Sequence, residues 1–208
     1  MRVNVISDLH LEFADLELPG GDVLVISGDA CESRTLRKYK YDPQNIMNEQ
    51  GDIKRLDRAA RFFHEECPKY RQVIYVMGNH EHYGGRFGKT YAQILEQLPD
   101  NVHLLEDETY TIDDVTFVGA TLWTDMNNMD ALTMYHMKSM MMDYKKITHH
   151  YEEKAAYYKL QPEVTVETFY RSRDYIKMVV EGKHDQKFVV CTHHAPTRAS
   201  THPRYAHD

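Results

Sequence analysis

Four short apolar runs, each followed at once by residues that bind metals or move protons, constrain this chain more than any other feature. Val3-Asn4-Val5-Ile6-Ser7 leads into Asp8-Leu9-His10, and Asp22-Val23-Leu24-Val25-Ile26-Ser27 leads into Gly28-Asp29. Gln72-Val73-Ile74-Tyr75-Val76-Met77 leads into Gly78-Asn79-His80-Glu81, and Lys187-Phe188-Val189-Val190-Cys191-Thr192 leads into His193-His194. Near-continuous β-branched runs of this length are the pattern of strands buried on both faces, whereas half-exposed strands alternate. In open α/β sheets ligands bind beyond the carboxyl ends of the strands, so polar residues placed there converge in one crevice. An α/β fold with its chemistry at one end of the sheet is therefore predicted.

The segments between these runs fit that plan. Ile53, Leu56, Ala59, Ala60 and Phe63 follow helical spacing over residues 52–66 and stop before Cys67-Pro68, which predicts a crossover helix. A shorter helix is predicted over residues 89–98, stopped by Pro99-Asp100. A longer one is predicted over residues 162–181, with Val166, Phe169, Arg173, Ile176 and Val180 on one stripe, Pro162 near its start and Gly182 at its end. Strands at 102–105, 109–112 and 115–122, separated by the acidic turns Glu106-Asp107-Glu108 and Asp113-Asp114, read as hairpin-connected. With no internal repeat or low-complexity linker, a single domain over residues 1–208 is the economical reading.

Composition narrows the function classes. With 25 Lys+Arg against 32 Asp+Glu the formal net charge is −7, which argues against binding nucleic acid by bulk electrostatics and leaves open a nuclease with a local site. Mean hydropathy is −0.63, and no run approaches the roughly 18 to 20 apolar residues of a spanning helix. The N-terminus turns polar too soon for a secretory segment. Cys31, Cys67 and Cys191 are odd in number and form no CxxC pair, so neither a disulfide framework nor a zinc ribbon is indicated and a cytoplasmic location is expected. The 13 histidines are out of line for a chain of this length. Histidine is the commonest metal ligand and the usual acid or base near neutrality.

Taken singly, the blocks are weak. Asp-x-His after a strand is also what a turn or cap looks like, Gly-Asp is common turn chemistry, and a doublet such as His149-His150 reads as a surface pair. Their joint order carries the argument. Oxygen donors from Asp8, Asp29 and Asn79 with nitrogen donors from His10 and His193 make a mixed site suited to Mn, Fe, Zn or Co and unsuited to a thiolate metal. Two ions about 3.5 to 4 Å apart need a bridging carboxylate. Asp29, lying between the two sets in chain order, is the natural bridge.

The series Asp8-x-His10, Gly28-Asp29-x-x-Glu32, Gly78-Asn79-His80-Glu81 and His193 resembles the calcineurin-like metallophosphoesterase superfamily, whose blocks are DxH, GDxxD, GNH(D/E), a later His and GHxH. The match runs from residue 3 to about residue 196. The resemblance implies a four-layer α/β/β/α sandwich of mixed sheets flanked by helices. It further implies two divalent metal ions, Mn or Fe favoured, one held by Asp8, His10 and Asp29 and the other by Asp29, Asn79 and His193. His80 would be the general acid, and a metal-activated water would attack the phosphorus of a phosphomonoester or phosphodiester. Glu32 stands where many members have the Asp that orients the catalytic His.

One block has no counterpart. The chain stops at Asp208, fifteen residues after His193, and His202 and His207, five apart and broken by Pro203, do not resemble GHxH. The expectation is a member cut short, lacking the C-terminal strands, with each metal keeping at most three protein ligands and binding more weakly. The competing reading is a non-catalytic phosphate- or metal-binding module acting through partner contacts. Residues 123–161 carry Trp123, Met126, Met129, Met134, Met137, Met140, Met141 and Met142, and read either as a pliable cap or as a helical insertion whose methionines fill its own small core. Tyr83, His136 and His150 are candidates for touching substrate, which stays open between small phosphoesters, nucleotides and phosphoproteins. The histidines not assigned chemistry are expected at the surface.

Overall fold

In the computed structural model, which describes residues 1–38, 41, 58–200 and 204, three of the four runs become parallel neighbours. Strands β1 (Val3–Ile6), β2 (Gly21–Ser27), β3 (Tyr70–Val76) and β4 (Val102–Leu105) form one sheet in that order, every pair parallel. Their continuous apolar character has the expected cause: successive side chains enter different cores. Leu24, Ile26, Val73 and Tyr75 pack with Ala59, Ala60, Phe62, Phe63 and Ile94 on the helical side. Val23, Val25, Ile74 and Val76 pack with Ile112, Phe117 and Cys191 on the other.

Those last three residues belong to a second, mixed sheet. In it β5 (Glu108–Ile112) is antiparallel to β6 (Val115–Ala120), and β6 is parallel to β9 (Lys187–Thr192). The second core therefore lies between the two sheets. Beyond the second sheet the helix Pro162–Val180 packs against β6. That outer cover is partial, since Val190 of β9 stays 42% exposed.

The helix predicted over 52–66 is helical at residues 58–61, widens into a π-helical turn over Phe62–Glu66 and enters β3 through a 3-10 turn at Cys67–Lys69. Ile53 and Leu56 lie outside the described residues. The shorter helix spans Thr90–Leu95. The long helix ends where predicted, but its buried positions are Pro162, Thr165, Val166, Thr168 and Ser172. Arg173, Ile176 and Val180 are only half-buried, and none of them belongs to a core cluster.

The hairpin reading of 102–122 needs correction. β4 is the edge strand of the first sheet, and only β5 and β6 form a hairpin. The Glu106-Asp107 turn carries the chain from one sheet to the other, because Val102 and Leu104 belong to the helix-side core while Leu105 points between the sheets.

The middle segment comprises a left-handed turn at Met126–Met129, the helix Ala131–Met140, a helical turn at Asp143–Lys146 and a hairpin of β7 (Thr148–Tyr151) and β8 (Ala156–Lys159). It has a small core, but methionines contribute little to it. Tyr83, Trp123, Met126, Tyr144, Ile147, Leu160 and Val166 fill it, with Met134 and Met137 at its margin, while Met129, Met140, Met141 and Met142 are exposed. The unassigned histidines are not all at the surface either: His82 is 3% exposed, and His194 stacks on Trp123 with ring centroids 5.2 Å apart. Among the described residues no helix is long and apolar enough to cross a membrane.

Candidate metal centre

Pairing between β1 and β2 does not stop with the strands. Asp8 N–H donates to Gly28 O at 3.1 Å, His10 N–H to Asp29 O at 3.0 Å and Leu11 N–H to Ala30 O at 2.9 Å. These bonds set Asp8, His10 and Asp29 side by side. All three adopt left-handed backbone, with φ of 55°, 44° and 53°, a conformation that costs non-glycine residues about 1–3 kcal/mol and persists only where the surroundings dictate it.

Two glycines let the other loops approach. A Cβ on Gly28, whose φ is +84°, would lie 2.5 Å from His193 Nδ1, and one on Gly78 would fall on Asp29 Oδ1 and 2.9 Å from His193 Nε2.

The result is two groups of donors, His10 with Asp29 and His80, and Asp8 with Asp29 and His193, the atoms of each within 4.8 Å of one another. Asp29 belongs to both. Its Oδ2 faces His10 Nε2 at 3.9 Å and His80 Nε2 at 4.0 Å, and its Oδ1 faces His193 Nε2 at 3.5 Å. The grouping differs from the expected one in placing Asp8 with His193 and in bringing His80 beside His10, their rings 4.4 Å apart edge to face. Asp8 also accepts from the Ser7 hydroxyl.

Around His193 the hydrogen bonds leave acceptors facing acceptors. Its Nδ1 pairs with Ser27 O at 2.8 Å, a group that only accepts, so Nδ1 carries the proton and the Nε2 lone pair points into the site. There it meets Asn79 Oδ1 at 3.2 Å. The Asn79 amide is oriented by Asp143, whose Oδ1 accepts from Asn79 Nδ2 at 2.7 Å. Three acceptors, His193 Nε2 in the neutral ring, Asn79 Oδ1 and Asp29 Oδ1, thus converge on one space, which a metal ion or a proton on Nε2 satisfies.

Glu32 is not brought to His80. Its carboxylate is engaged by Arg34 Nε, and the group against the His80 ring is Tyr83, stacked at 4.2 Å. Of the candidate substrate contacts, Tyr83 is thus a buried support for His80, whereas His136 is exposed on the helix Ala131–Met140 and His150 pairs with Glu152 at 3.3 Å. His202 and His207 lie outside the described residues.

Two residues that sequence reasoning missed hold the site together. Glu81, completely buried, accepts from Gly78 N and Asp29 N through Oε2 and from Ala30 N and the Tyr75 hydroxyl through Oε1, at 2.7 to 3.1 Å. Burial, with the Asp29 charge beside it, pushes its carboxyl up to about 7, and the hydrogen bonds from Tyr75, Ala30 and Gly78 pull the other way. Three backbone N–H groups and the Tyr75 hydroxyl point at its two oxygens and favour the ionised form against that burial. Its only sequence signal was its place after Asn79-His80.

Asp143, 2% exposed, had no signal at all. Asp143→Ala is expected to weaken metal binding about 10- to 100-fold by freeing the Asn79 amide to turn. Asp143→Asn, which keeps an acceptor, should largely restore it. Metal titration of both variants checks this, and unchanged affinity in Asp143→Ala would remove the positioning role.

A sandwich of parallel and mixed sheets, with imidazoles and carboxylates gathered at the carboxyl ends of its strands, defines an α/β protein with a His/Asp cluster able to hold a metal ion. The chain belongs to the calcineurin-like phosphoesterase family, whose model matches residues 1–208. Its fold and its His/Asp donor cluster are those of a metal-dependent phosphoesterase in general. It is 29% identical over 209 aligned residues to an uncharacterized protein of Acanthamoeba polyphaga mimivirus, covering 94% of this chain and 69% of that protein. The fold is shared with the phosphopantetheinyl hydrolase of Mycobacterium tuberculosis, with a TM-score of 0.54 and 15% identity over 95% of this chain and 69% of that one.

Proposed function

We propose that this protein hydrolyses a phosphomonoester or phosphodiester at a dinuclear centre of divalent ions, Mn or Fe by preference, with His80 as the general acid. The observation that carries the reading is Asp29, whose Oδ2 faces His10 and His80 and whose Oδ1 faces His193. The donor set fits the ions: oxygens from Asp8, Asp29 and Asn79 and nitrogens from His10 and His193 suit such metals, and a metal ion is one way to satisfy the acceptors around His193. When bound, the ions would polarise a phosphoryl oxygen and lower the pKa of a water molecule.

The chain's own residues do the rest. The His80 ring stands between the edge of His10 and the face of Tyr83, its backbone N–H donating to Asp29 Oδ1 at 2.9 Å. Its side chain is 29% exposed, enough to hand a proton to a departing oxygen. Asp143 keeps the Asn79 oxygen turned to the site. We place the protein in the cytoplasm, a reading supported by three buried free thiols.

The test is metal content measured alongside hydrolysis of a paired phosphomonoester and phosphodiester. Two Mn²⁺ per chain and turnover of at least one ester are expected. If a proton on His193 satisfies its neighbours instead, metal uptake will not saturate and the assignment fails. Saturable uptake with neither ester hydrolysed would overturn the hydrolase and leave a binding module.

A further inference from the structure

Beside the metal centre, at the carboxyl ends of β3, β4 and β6, lies a cavity of about 330 Å³ walled by the middle segment and the long helix. Cavities of this size hold small organic ligands. We propose that it binds a neutral planar heteroaromatic ring of the nucleobase kind, at a site distinct from the metal donors.

The walls are rings. Phe87 lies 4.7 Å from the His82 ring, 5.7 Å from Trp123 and 5.9 Å from His149, centroid to centroid, with planes tilted between 34° and 74°. Surfaces of this kind favour a flat aromatic guest by offset or edge-to-face contact.

The polar groups then select among flat guests. Nδ1 of His82 and Nδ1 of His149 are both buried without a hydrogen-bond partner. Both atoms are closed to solvent in this arrangement, so a guest reaches them only if the rings turn; the polar groups that line the space are the carboxyls of Glu106 and Glu167, which a pure hydrocarbon leaves unmet. An anion is disfavoured as well. The carboxyls of Glu106 and Glu167 line the space, and the cation that lines it, Arg171, is already paired with Asp107 at 2.9 Å. What remains is an uncharged ring carrying donors and acceptors on its edge. Glu106 suits such an edge: Thr121 holds its Oε2, and burial pushes its carboxyl up to about 7.

The inference goes beyond the phosphoesterase reading and does not need it, since none of these residues is in the donor set. Two features make it testable. Trp123 is the chain's single tryptophan and lines the cavity, so its emission reports a guest there; because Trp123 also stacks on His194, beside the donor His193, the titration is read in both metal states. Gly88 lines the cavity, and a Cβ there would meet no atom within 4 Å, so a side chain can be started there without displacing the backbone.

The experiment titrates adenosine and guanosine into the purified full chain, with and without chelator, following Trp123 emission, with ribose and inorganic phosphate as controls. A saturable change is expected for at least one nucleoside and neither control, in both metal states. Gly88→Phe and His149→Ala are each expected to weaken it by at least about tenfold, with unchanged thermal midpoints. Should Gly88→Phe lower the midpoint, His149→Ala decides. No saturable response to either nucleoside overturns the proposal, as does an equal response to ribose or phosphate, or unaltered affinity in the deciding variant. Nucleoside binding without ester hydrolysis, or the reverse, tells the two readings apart.

Discussion

Glu81→Gln should lower folding stability by about 3 kcal/mol, although it removes no atom from the side-chain skeleton. The Glu81 carboxylate accepts from four donors, two on each oxygen. A glutamine keeps one oxygen and turns an amide nitrogen toward the other pair. The Tyr75 hydroxyl can reverse and accept from that nitrogen, but the Ala30 N–H cannot, and a buried orphaned donor costs about 1–3 kcal/mol. Loss of the charge weakens the surviving bonds, which are roughly twice as strong to an ionised acceptor. At roughly 2–4 °C per kcal/mol for a chain of this size, the thermal midpoint should fall by about 10 °C. Because two of the donors are the backbone N–H groups of Asp29 and Gly78, metal uptake should fall with it. A midpoint within about 2 °C of the parent, under one kcal/mol on that scale, would show that these donors do not depend on Glu81.

Asp29→Asn tests the centre itself. The substitution keeps an oxygen to accept the His80 N–H, so the local backbone survives. It removes the charge and presents an amide N–H₂ to His10 and His80, where Oδ2 now faces their Nε2 atoms. The expected result is loss of at least one ion per chain and a fall in turnover of about 10³ or more, equivalent to about 4 kcal/mol of transition-state stabilisation. Metal analysis and the ester assay on one preparation, with a thermal melt as control, give the answer. Normal occupancy and turnover in a folded variant would remove Asp29 as the bridge.

Much of this arrangement is legible because it is local. Val23 through Ile26 and Val73 through Val76 read as strands buried on both faces, and they supply alternate residues to two cores. Asp8, His10, Asp29, Asn79 and His193 follow strand ends directly, so a parallel sheet with β9 beside it delivers them to one edge. What was illegible depends on partners far apart in sequence or on a local competitor. Asp143 meets Asn79 across 64 residues, from a segment whose visible signal was its methionines. Glu32 has the position of an orienting carboxylate, yet Arg34, two residues away, takes it at a much lower entropic cost than a distant imidazole. β4 and β5 look like hairpin partners until the edge of the first sheet claims β4.

The sequence by itself determined the fold class, the strands and the chemical kinds of donor at their ends, because side-chain alternation and strand-end placement are properties of neighbouring residues. Only the tertiary structure decided which histidines face which oxygen of Asp29, that Glu81 and Asp143 brace them, and that an aromatic cavity lies alongside. Those outcomes rest on left-handed turns at Asp8, His10 and Asp29 and on the close approach of Gly28 and Gly78 to His193. Distances of that kind are set by how separate segments pack, and no local pattern in the chain encodes them.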